Sequence, residues 1–143
     1  MNDITSYMLE QTKKILSIDS PTGFTAHAAE YVLGAYKKLG YDAKLTNKGG
    51  IFVCVNDGPD QADDPADAPI LLEAHMDTLG GMVCSINEKG RLMLSALGGM
   101  NPNNAEAENC RVYTRSGKVY SGTFQLKNAS IHVNGSYNDT ARS

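Results

Sequence analysis

Ile70-Leu71-Leu72-Glu73-Ala74-His75-Met76-Asp77-Thr78 is the stretch on which the architecture turns. Its first five residues form a short, nearly continuous apolar run. Such runs suit a strand covered on both faces, as in a parallel sheet flanked by helices. The run ends in His75-x-Asp77, and in open α/β sheets sites form beyond the carboxyl ends of the strands. A neutral imidazole there is a good ligand for zinc or cobalt. A carboxylate two residues on can accept a hydrogen bond from the other ring nitrogen, which fixes the tautomer and makes the ligand more basic. Taken alone, the same pattern equally suits a histidine that merely ends a strand.

Upstream of this stretch, helices and strands are mixed. Ile4, Met8, Ile15 and Ile18, with Tyr7 and Leu16 beside them, predict a helix over 3–18, capped by Asn2 or Asp3. Pro21 and Gly23 break it. A second helix is predicted over 25–39, with Ala29, Leu33 and Tyr36 as its apolar stripe, Val32 and Leu39 widening it, and Gly40 as a stop. Residues 41–46 and 51–55 read as a hairpin around Asn47-Lys48-Gly49-Gly50. Residues 56–69 carry Asp57, Asp60, Asp63, Asp64 and Asp67 with no Lys or Arg, and read as an acidic surface loop. Their offsets do not fit a calcium-binding EF-hand.

Downstream the pattern is β alone. Residues 79–86 and 91–97 read as strands around a turn at 87–90, and 98–109 as a loop containing Pro102. Residues 110–114 and 118–124 flank Arg115-Ser116-Gly117 as a further hairpin, and Ile131-His132-Val133 as one more strand. The change of pattern places a domain boundary near residue 80. The tail from Ser136 to Ser143 lacks the apolar residues of a packed end.

The whole chain, 143 residues and 15.4 kDa, has the size of about one domain. A net charge of −3 and a pI near 5.5 argue against a nucleic-acid partner, which calls for a basic face. No apolar run is long enough for a membrane span, and the N-terminus lacks a signal-peptide pattern, so a cytoplasmic location is expected. Cys54, Cys84 and Cys110 form no Cys-x-x-Cys pair and are expected as buried or half-buried thiols. Three Asn-x-Ser/Thr tripeptides, at Asn128, Asn134 and Asn138, read as turns rather than glycosylation sites. His27 reads as a surface residue and His132 as structural. Glu73, the one charge in an apolar run, calls for a partner or an opening toward the crevice. Nothing matches a serine-hydrolase elbow, a P-loop or a dinucleotide fingerprint.

Leu71 to Val83 resembles the metal-ligand segment of the M42 family of metallo-aminopeptidases. Ser20-Pro21-Thr22-Gly23-Phe24 resembles that family's signature between the first two helices. Residues 87–101 and 111–119 resemble two hairpins that follow, in the family's order. The resemblance implies an α/β fold: the N-terminal part of a zinc-peptidase-like domain, residues 1–79, followed by the start of an inserted β-rich lid or dimerisation domain, residues 80–143. It implies that His75 binds one metal of a two-metal site (zinc or cobalt), and that Asp77 serves catalysis by orienting that His. The metals would polarise the scissile carbonyl and deprotonate a water. Peptide substrates would lose their N-terminal amino acids, and the protein would assemble as a homo-oligomer, from dimer to dodecamer. The family's remaining ligands and its general-base Glu follow the inserted domain, so none can be assigned here. One His with an orienting Asp cannot hold two metals. The expectation is therefore a truncated chain, inactive alone and without a stably bound metal. Thr78 stands where many members carry an acidic residue. The competing readings are a non-catalytic interaction module with a vestigial His75, and a related di-metal deacylase.

Overall fold

The computed structural model describes residues 3–55, 70–127, 129–133 and 135. The chain divides into two compact units, Met1–Gly81 and Met82–Ser143. The acidic stretch over 56–69, Asn2 as a cap, the three Asn-x-Ser/Thr asparagines and the tail from Ser136 lie outside the described residues.

The first unit opens with α1 (Asp3–Leu16) and α2 (Ala26–Lys38). Asp3 sits in the first turn of α1 and Lys13 and Lys14 in its last, each with the sign the helix dipole favours. Glu10 and Lys14 pair one turn apart. In α2 the close-packing face is made of small residues: Ala28 and Ala29 are buried, while Val32 and Leu33 are half-buried. That face lies on the hairpin of β1 (Ala43–Leu45) and β2 (Ile51–Val53), where Ala43 is buried in turn. Tyr36 and Leu39, expected in the same stripe, are exposed. The hairpin is antiparallel, with Ala43 opposite Val53 and Leu45 opposite Ile51. Its turn closes on Thr46, whose amide donates to the Gly50 carbonyl at 2.8 Å and whose hydroxyl accepts from the Gly50 amide at 2.9 Å. Gly49 supplies the positive φ of 83° that this turn requires. Tyr31 donates from its hydroxyl to Gln11 at 2.6 Å and ties α2 to α1.

The predicted buried strand at 70–74 does not form. Ile70, Leu71 and Leu72 are 87%, 76% and 89% exposed. A strand covered on both faces needs neighbours at its edges and layers above and below. Among the described residues, the segment gains only one β-bridge, at Thr78. Glu73 is accordingly exposed and needs no buried partner. Ile4, Met8 and Leu16 of α1 are also largely exposed. Among the described residues the buried apolar side chains are Ala28, Ala29 and Ala43 here, and Leu126 in the second unit.

In the second unit, β3 (Gly80–Ile86), which starts on the last two residues of the first, pairs with β4 (Leu92–Leu97). Asn87 builds the turn between them, its side-chain oxygen accepting from the amides of Lys89 and Arg91. Where a loop was expected around Pro102, a short helix α3 (Pro102–Ala105) forms. The Asn101 side chain accepts from the Asn103 amide at 3.0 Å, and Pro102 occupies the first turn, where its missing N–H costs nothing. Strands β5 (Asn109–Tyr113) and β6 (Val119–Thr123) pair antiparallel, with Val112 opposite Tyr120. Ile131-His132-Val133 forms a turn rather than a strand. Of the three thiols only Cys110 is half-buried; Cys54 and Cys84 are exposed, contrary to expectation. Among the described residues no helix is long and apolar enough to cross a membrane.

Candidate metal centre

The His-x-Asp segment is held by a short parallel contact with the turn between the two helices. The Thr78 amide donates to the Ser20 carbonyl at 2.8 Å, and the Thr22 amide donates to the Thr78 carbonyl at 3.2 Å. These two bonds bracket the bridge between Pro21 and Thr78. Neither uses the N–H that proline lacks, so Pro21 is tolerated at the centre of the contact. The buried Ser20 hydroxyl adds a third tie, donating to the Met76 carbonyl at 2.8 Å. Gly80 completes the fit: a Cβ there would stand 2.6 Å from the Pro21 Cβ.

This contact places three side chains in a row. The Thr22 hydroxyl donates to Asp77 Oδ2 at 2.7 Å. The other carboxylate oxygen, Oδ1, lies 3.1 Å from His75 Nδ1, and the Asp77 carbonyl lies 2.9 Å from the same nitrogen. A backbone carbonyl can only accept, so Nδ1 carries the proton and donates. The Nε2 lone pair is then the one left for a ligand. The hydrogen bond from Thr22 holds the Asp77 carboxyl below its ordinary range; partial desolvation opposes this, and the His75 contact adds to the lowering. The imidazole side chain is 85% exposed, so Nε2 is accessible.

The structure thus brings His75 and Asp77 together. It does not add a third donor: among the described residues no group of three or more His, Cys, Asp or Glu side chains could hold a metal ion. A two-metal site needs several further ligands. The donor set described here therefore does not fit the metal pair, and no reaction step is derived through it. His27 lies edge-on to Phe24, with ring centroids 5.8 Å apart. Two grooves among the described residues lie elsewhere: one of about 500 Å³ between α1 and α2, and an apolar one of about 410 Å³ around Phe24, Leu33 and Leu45. Neither is lined by His75 or Asp77. Ser20 and Thr22 lie in the segment that resembles the family's signature and breaks the first helix, but neither was expected to bond to the His-x-Asp segment. Two hydroxyl residues flanking a proline were the available signal.

Residues 50–143 match the family model described as M42 glutamyl aminopeptidase. The chain belongs to the M42 peptidase family. It is 36% identical over 125 residues to "Putative aminopeptidase YhfE" of Bacillus subtilis (strain 168), an alignment that covers 87% of this chain and 34% of the relative. It is 32% identical over 112 residues to the glutamyl aminopeptidase of Lactococcus lactis subsp. cremoris (strain MG1363), covering 78% of this chain and 30% of the relative. The chain therefore spans about a third of the length of these curated relatives. Its mixture of helices and strands fits an α/β peptidase domain.

Proposed function

We propose that this chain contributes one metal ligand, His75, and its orienting residue, Asp77, to a metal-dependent aminopeptidase that releases N-terminal amino acids from peptides. The observation that carries the reading is the His75 imidazole, tied through Nδ1 to Asp77 with Nε2 open to solvent. Membership of the M42 family and the names of the two relatives support the activity class. On this reading the first unit belongs to the catalytic domain and the second begins a lid or dimerisation domain. The further donors a metal pair needs would come from outside the described residues, and the 143 residues alone are expected not to turn over peptides. The working location is cytoplasmic.

Two measurements test this. The purified chain, loaded with zinc or cobalt and assayed on aminoacyl anilides, is expected to show no turnover and no stoichiometric two-metal binding. Turnover with two tightly bound metals would overturn the assignment of the missing ligands. The intact mass of the native product is expected to exceed 15.4 kDa well beyond any modification; a native mass equal to it would sink the aminopeptidase reading.

A second reading, association with further copies of the chain, is favoured by the sheets. Each of the three described sheets has two strands only, and so two open edges. Ile70, Leu71 and Leu72 add exposed apolar surface. Sedimentation is expected to show self-association; a monomer with one cooperative unfolding transition would refute it.

A further inference from the structure

We infer that Thr22 is a positioning residue for the His75 imidazole, acting through the Asp77 carboxylate. The inference rests on the reading of His75 as a ligand and Asp77 as its orienting residue, and extends the chain of contacts by one link. A carboxylate that orients an imidazole must itself be oriented. Asp77 has two oxygens, and only Oδ1 meets the ring. Rotation about the terminal side-chain torsion is soft, so a contact to Oδ1 alone leaves the carboxylate plane free to swing. The Thr22 hydroxyl, 2.7 Å from Oδ2, removes that freedom.

Two features make Thr22 suited to the task. Its side chain is β-branched and therefore stiff at the first torsion. Its backbone is clamped on both sides of Pro21 to Thr78, and the buried Ser20 hydroxyl fixes the neighbouring Met76 carbonyl. The donor is thus delivered by backbone pairing, from a turn some fifty-five residues away in sequence. An orienting group held on paired backbone is more precise than one left on a free loop. A water molecule could supply the same hydrogen bond, but not the same direction.

The test reads the ring directly and needs no metal or substrate. The full 143-residue chain, labelled with nitrogen-15, reports the two His75 ring nitrogens by NMR at a pH where the imidazole is neutral. In the wild type, Nδ1 is expected to be protonated and Nε2 bare. Thr22→Val keeps the shape and removes the hydroxyl, and it is expected to move both resonances toward the Nε2–H form. Asp77→Ala is expected to move them further, and Thr22→Ser to restore the wild-type pattern. If Asp77→Ala shifts the tautomer and Thr22→Val does not, the role of Thr22 is refuted while the orienting role of Asp77 stands. If neither variant shifts it, the backbone carbonyl alone holds the ring, and both fall. A shift in Thr22→Val without one in Asp77→Ala also overturns the inference, because the effect would not pass through the carboxylate. Should Thr22→Val lose its dispersed amide spectrum, Thr22→Ala and Thr22→Ser decide the matter: the first must shift the ring nitrogens and the second must not.

Discussion

Replacing Gly80 by alanine should separate the two segments that build the candidate site. The new Cβ would lie 2.6 Å from the Cβ of Pro21. Non-bonded carbons rest about 3.5–4.0 Å apart, so the overlap is about 1 Å. Neither partner can swing away, because one Cβ is fixed to the start of β3 and the other belongs to a closed ring. Relief must come from the backbone. Moving the segments apart by about 1 Å takes the Thr22–Thr78 contact, already 3.2 Å, beyond hydrogen-bond reach. Overpacking of this kind costs about 1–3 kcal/mol, and a lost backbone hydrogen bond adds about 1 kcal/mol. The sum is about 2–4 kcal/mol.

In a unit of this size each kcal/mol moves the thermal midpoint by about 4–8 °C, so Gly80→Ala should lower it by about 10 °C or more. Far-UV circular dichroism during heating, and urea titration, both read the change. The same steric origin can be isolated with a second substitution. Pro21→Gly removes the opposing Cβ, so Gly80→Ala should cost much less in that background, a coupling expected only between residues in direct contact. The steric reasoning fails if Gly80→Ala stays within about 0.5 kcal/mol of wild type, or if its cost is the same with and without Pro21.

Gly34 gives the opposite sign: it lies inside α2, and a Cβ there meets nothing within 4 Å. Gly34→Ala should stabilise by about 0.5–1 kcal/mol through helix propensity alone, seen as a raised urea midpoint. The Asp77 carboxyl titrates below its unfolded value of about 3.9, first because Thr22 donates to it. Its contribution to stability is therefore complete above that value and is lost as pH falls through the lower folded value. The midpoint should decline in acid for the wild type and less steeply for Thr22→Val, and equal slopes would count against the hydrogen bond. Asn101→Ala removes the side-chain cap of α3 and should cost about 1 kcal/mol, with Asn101→Asp close to wild type in the same denaturation assay.

What the residues alone disclose here follows from the range of the forces involved. Helices α1 and α2 and the hairpins are local: their periodicity, turn glycines and terminal charges act within a few residues, and each appears within a few positions of its expected bounds. The short helix at Pro102 obeys the same local rules, since Asn101-Pro102 is a cap followed by a first-turn proline. The strand at 70–74 depends instead on partners. Its apolar run shows that burial would be favourable, but says nothing of what supplies the covering layers, and in water Ile70, Leu71 and Leu72 remain exposed.

The site divides along the same line. His75 and Asp77 sit two residues apart, so their contact is written into a single segment. Thr22 is distant in sequence, and only the parallel pairing around Pro21 and Thr78 brings it to Asp77. That pairing was hidden because proline reads as a breaker of structure. It breaks the helix by lacking an N–H, yet a parallel bridge centred on it draws its hydrogen bonds from the residues on either side. The same residue can therefore end one element and centre the contact that aligns the candidate ligand.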